Sequence, residues 1–107
     1  MTEKRITNKQ GGVKADGDKA DWSLIDLSII QEVAMVLTHG AKKYDRHNYD
    51  KVEPYRYFAA TMRHLTAWQD GELTDKDSGL PHLAHAMTNL HILNRLDKKG
   101  IHYTKDD

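Results

Sequence analysis

The stretch SGLPHLAHAMTNLHILNRL, residues 78–96, decides the fold. Ser78, Gly79, Leu80 and Pro81 read as a helix launch, because serine satisfies free backbone N–H groups and proline is tolerated in the first turn. Leu83, Ala86, Leu90, Leu93 and Leu96 follow at helical spacing and fall in one broad apolar arc. Ala84, His91 and Arg95 lie opposite, on the side expected to face water. His82, His85 and Asn89, at i, i+3 and i+7, form a single stripe inside the apolar arc.

Upstream the same pattern recurs. Pro54 opens a second helix that Gly71 ends, with Phe58, Met62 and Leu65 toward the core. Tyr57, Thr61, Leu65 and Trp68 define its inner arc. His64 falls among them, while Arg63, Thr66 and Asp70 face out. An earlier helix is expected from Ser28, with Gln31 completing a capping box, to Lys43 or Tyr44. Its face is Ile30, Val33, Ala34, Leu37 and Ala41, and Glu32, His39 and Lys43 sit at the edge of that face. Asp45 to Glu53 reads as a polar loop and Glu72 to Ser78 as an acidic one. No segment alternates like a strand for more than a few residues. The expected fold is all-α, a small three- to four-helix bundle completed by oligomerisation. Residues 1–21 read as a flexible polar arm, 22–98 as the helical domain and 99–107 as a frayed charged tail.

Composition narrows the function. At 107 residues with 38% hydrophobic content there is room for one domain with a thin core, so pairing with further copies is expected. Zero net charge argues against a nucleic-acid polymer or an anionic membrane as partner. Without cysteine, thiolate metal sites and thiol nucleophiles are excluded. The amino-terminal residues lack a signal-peptide pattern, so a cytoplasmic protein is expected.

The inward polar side chains need a reason. Burying an unpaired polar group costs roughly 1–3 kcal/mol, against about 5–15 kcal/mol of net stability for a whole domain. Several such groups must satisfy one another or bind something. Imidazoles and carboxylates are metal ligands, so Glu32, Glu72, Asp77, His82 and His85 are the candidate ligand set, for magnesium or manganese. Asp75 adds a further carboxylate to the same loop. Glu32 and His64 are the candidate general bases. Lys14, Lys19 and Lys43 could hold phosphates. Tyr44, Asn48 and Trp68, with His39 and Asn89, could contact the rest of a nucleotide.

The runs KADGDKADWSL from Lys14, EVAMVLTHGAKKYDRHNY from Glu32, RHLTAW from Arg63 and GELTDKDSGLPHLAHAMTN from Gly71 resemble a phage-associated family. It is the family named for the N-terminal domain of dATP/dGTP diphosphohydrolase, and the resemblance spans roughly Lys14 to Leu96. It implies hydrolysis of purine deoxynucleoside triphosphates to monophosphate and pyrophosphate, adjusting nucleotide pools during infection in the host cytoplasm. A more distant resemblance is to the all-α nucleotide pyrophosphohydrolases of the MazG type, which hold magnesium with an ExxE and an ExxD. This chain has no ExxE, and His82 and His85 stand where a helical acidic pair is expected. The alternative is therefore a non-catalytic protein that sequesters a nucleotide, for example a signalling nucleotide in phage anti-defence. A purely structural adaptor would leave the inward polar stripe unexplained.

Overall fold

The computed structural model describes residues 5–7, 9–15 and 17–104. Three helices form the body: α1 (Leu27–Lys43), α2 (Pro54–Gln69) and α3 (His82–Lys98). The body is all-α, as expected. Two short strands precede it, β1 (Arg5–Thr7) and β2 (Val13–Ala15), paired antiparallel with Ile6 opposite Lys14. The expected arm thus contains a small hairpin, and residues 1–4 and 105–107 of the expected arm and tail lie outside the described residues. No described helix is long and apolar enough to cross a membrane.

Local chemistry sets the helix ends. α1 is capped by Asp26, not Ser28: the Asp26 carboxylate accepts from the Ser28 backbone N–H at 3.0 Å and from its hydroxyl at 2.6 Å. An aspartate two residues earlier is the stronger cap, since its charge also opposes the positive helix end. Pro54 does open α2. α2 closes on Gly71 (φ 98°), where Glu72 N–H bonds Ala67 C=O and Gly71 N–H bonds Trp68 C=O. This left-handed ending turns the chain sharply into the acidic loop. The expected loop between α1 and α2 holds a 3-10 turn at Asn48–Lys51. Asp50 there takes both guanidinium N–H groups of Arg95 at 3.0 and 3.1 Å and the Lys99 ammonium at 2.9 Å. Those bonds hold its carboxyl well below the usual carboxylate range.

α3 is the central helix and packs against both α1 and α2. Its buried residues are His82, Ala84, Ala86, Thr88, Ile92 and Leu96. At about 100° per residue they span an arc of roughly 200° centred near His85. The expected arc was centred on the leucines, and three expected placements are overturned. Ala84 is fully buried, while Leu83 and Leu90 are 39% and 56% exposed. A helix flanked on two sides needs small residues at close approach, and Ala84 and Thr88 supply them. α1 is rotated in the same sense. Glu32, Val33, Val36, Leu37 and Gly40 are half-buried, while Ile30, Ala34 and Ala41 from the expected face are exposed. On α2, Thr61 is buried as expected, but Phe58, Met62 and Trp68 are exposed. Thr61, Ala84, Ala86 and Thr88 thus share the interior with Ile92 and Leu96, while several large apolar side chains on each helix stay outside.

Candidate metal centre and adjoining cavity

The acidic loop is folded back on itself. His82 N–H bonds Leu73 C=O at 2.9 Å, Asp75 N–H bonds Leu80 C=O at 2.8 Å, and Thr74 pairs with Pro81 across a short bridge. Gly79, at φ 71°, allows the reversal. The Asp75 carboxylate accepts from Asp77 N–H at 2.9 Å, so the side chain is fixed by its own turn. That hydrogen bond lowers its pKa, and the nearby histidines lower it further.

The fixed carboxylate meets two histidines. Ligand atoms of His64, Asp75 and His85 all lie within 4.8 Å of one another. The His64 and His85 rings stack at 4.5 Å between centroids, 6° from parallel. His85 Nε2 is 2.7 Å from the Ser78 hydroxyl and 3.7 Å from Asp75 Oδ2. Burial pushes both histidines below the ordinary imidazole value, with further depression from neighbouring imidazoles. Neutral imidazole and ionised carboxylate are the forms that bind a metal, so the donor set fits a divalent ion.

His82 backs this group. Its Nδ1 is 2.8 Å from His64 Nδ1, so one ring donates and the other accepts. Its Nε2 is buried without a hydrogen-bond partner, and Glu72 Oε1 at 3.5 Å is too poorly placed to serve as one. His39 of α1 lies near enough to depress His85 electrostatically. Glu32 and Asp77 are not in the donor group; Glu32 is half-buried on α1 and Asp77 is exposed. Asp75 is the candidate ligand that the expected set lacked. Lying in a loop, its carboxylate has no helical register, and only the closed loop brings it to the histidines.

Beside the group, a cavity of about 500 Å³ opens between α1, the Asn48–Lys51 turn, the start of α2 and α3. Tyr44, Asn48 and Asn89 line it together, with Gly40, Tyr49 and Tyr57. Tyr57 donates its hydroxyl to Tyr49 C=O at 3.3 Å, and burial raises its pKa to about 12, so it remains a donor at neutral pH. His47, also lining the cavity, is held left-handed at φ 62°. Lys43 and Trp68 are exposed and outside the lining, with the Lys43 ammonium 5.5 Å from the Tyr44 ring centroid. Lys14 lies in β2, and Lys19 is exposed in the segment before α1.

The family described as dATP/dGTP diphosphohydrolase, N-terminal, matches residues 9–106, which take in β2 and all three helices but not β1. The chain belongs to this family. A dATP/dGTP diphosphohydrolase of Salmonella phage PMBT28 is 39% identical over 79 residues, which cover 74% of this chain. That match spans 27% of the phage relative's length. No solved structure matches the chain. The all-α body carries the SGLPHLAHA element at the centre of the group just described.

Proposed function

We propose that this domain binds a purine deoxynucleoside triphosphate and cleaves it to monophosphate and pyrophosphate, with a divalent ion held by His64, Asp75 and His85. The observation carrying this reading is the convergence of those three ligand atoms within 4.8 Å, beside a cavity of ligand size. The name of the phage relative supports the substrate class. A bound divalent ion supplies positive charge to phosphate oxygens and acidifies a water molecule. Two imidazoles with one carboxylate suit manganese better than magnesium.

The chain's own residues do the rest. His64 donates Nδ1–H to His82 Nδ1, which fixes its ring and leaves Nε2 as the ligand atom; ligating histidines are commonly oriented in this way. In this reading His82 orients a ligand, and neither His82 nor Glu72 ligates. Water attacks the α-phosphorus, the bond from that phosphorus to the bridging oxygen breaks, and pyrophosphate leaves with the electron pair. Glu32 takes the proton: it lies on the same side of α1 as Val36 and Gly40, which line the cavity. The site would operate in the cytoplasm of an infected host.

The test is incubation with each of the four deoxynucleoside triphosphates, with Mn²⁺, Mg²⁺ or chelator, while monophosphate and pyrophosphate are followed. Metal-dependent release from the purine substrates is expected. Intact nucleotide recovered after long incubation with protein in excess would overturn hydrolysis in favour of sequestration, a reading supported by the single carboxylate of the donor group.

The assembly is proposed to contain more than one copy of the chain. Ile30, Met35, Phe58, Met62, Leu83 and Leu90 are 39–56% exposed on the three helices, more large apolar surface than a small monomer ordinarily leaves in water. Light scattering should give a mass above 12.3 kDa. A monomer persisting at high concentration would end this idea.

A further inference from the structure

Gly40 has no conformational reason to be glycine. Gly71 and Gly79 hold positive φ angles, but Gly40 sits within α1, in backbone that any residue adopts. Glycine within a helix is costly relative to alanine. Packing does not demand it either, because a Cβ built at Gly40 meets no atom within 4 Å. That open space belongs to the 500 Å³ cavity, which Gly40 lines. Across the cavity stands Asn89, half-buried, with no hydrogen bond from its amide to any described residue. The remaining walls include Tyr44, Tyr49 and Tyr57.

We propose that this cavity is the nucleobase pocket, that Gly40 keeps its floor open for a purine ring, and that Asn89 reads the edge of the base. This rests on the reading of His64, Asp75 and His85 as the phosphate end. Asn89 follows His85 by four residues, about 6 Å along α3, a span that a deoxyribose can bridge. An asparagine amide presents a donor and an acceptor side by side, which match N7 and the 6-amino group of adenine. Guanine offers two acceptors on that edge, so adenine is the better fit. The tyrosines give the flat ring apolar walls.

The experiment uses nucleosides, which lack phosphates, so its outcome does not depend on hydrolysis. Deoxyadenosine, deoxyguanosine and thymidine are titrated calorimetrically into the wild type, Gly40→Ala, Gly40→Leu and Asn89→Asp. Purines should bind, with deoxyadenosine tightest and thymidine weakest. Gly40→Leu should weaken purine binding by about tenfold or more, since its side chain fills the space the ring needs. Gly40→Ala keeps the test decisive if the leucine variant fails to fold. It should raise Tm by about 3–6 °C through helix propensity while still weakening binding. Asn89→Asp should remove the preference for adenine, and Mn²⁺ affinity should be unchanged in both glycine variants. No purine binding at millimolar concentration, or binding unaltered by Gly40→Leu, overturns the proposal. Nucleoside binding that depends on Gly40 in a protein without turnover would sink hydrolysis and leave the pocket standing.

Discussion

Asp75→Asn is expected to remove metal-dependent turnover by about 100-fold or more, while the domain stays folded. The substitution is isosteric. The asparagine side-chain oxygen can still accept from the Asp77 N–H, so the turn that closes the acidic loop is retained. What is lost is the negative charge at the one carboxylate among the three grouped ligands. Mn²⁺ affinity, followed by electron paramagnetic resonance, should fall alongside activity. His85→Ala should act in the same direction but also lose the stack on His64 and the contact with Ser78, so it is the less clean probe. Glu32→Gln separates the two roles that a carboxylate can play here. It should slow turnover and leave Mn²⁺ binding near the wild-type value. Unchanged Mn²⁺ affinity and unchanged rate in Asp75→Asn would remove this group from the chemistry.

Leu96→Ala is expected to cost about 2–5 kcal/mol, a large fraction of the stability of so small a domain. Leu96 is 1% exposed and is the largest fully buried side chain among the described residues. Its backbone carbonyl also accepts from Ile101 N–H where α3 ends, so little around it can relax into the void. Circular dichroism should place Tm lower by about 10–30 °C. A shift under a few degrees would mean that the helix end collapses to fill the space. Leu90→Ala is the matched comparison: Leu90 is 56% exposed, so its truncation should matter only to the extent that another copy covers it. Its effect on Tm should therefore grow with protein concentration.

The helices were legible because periodicity, Pro54 and Gly71 are local signals. The face each helix buries was less so. A wheel weighted by hydrophobicity centres α3 on Leu83, Leu90 and Leu93, whereas the fold centres it on His85. The reason is that α3 lies between two helices, and close approach favours Ala84 and Thr88 over leucine. The stripe of His82, His85 and Asn89 was visible from spacing alone, as was the inward direction of His64. Asp75 was passed over in favour of Glu72 and Asp77, because a carboxylate in a loop has no register until the backbone bonds of residues 73–82 are known. Gly40 carried no signal, since a glycine in a helical run reads as a tolerated defect until the space beside it is seen.

The outward-facing apolar stripes also bear on how the domain responds to temperature. Heat capacity rises on unfolding because apolar surface becomes hydrated, and ordinary domains gain about 12–15 cal/mol/K per residue. Here Ile29, Ile30, Met35, Phe58, Met62, Leu83 and Leu90 are already substantially hydrated in the folded chain, and no residue of α1 is fully buried. The isolated chain should therefore gain less heat capacity than its length suggests. Its stability curve should be shallow, with a broad melting transition and a weak dependence on denaturant.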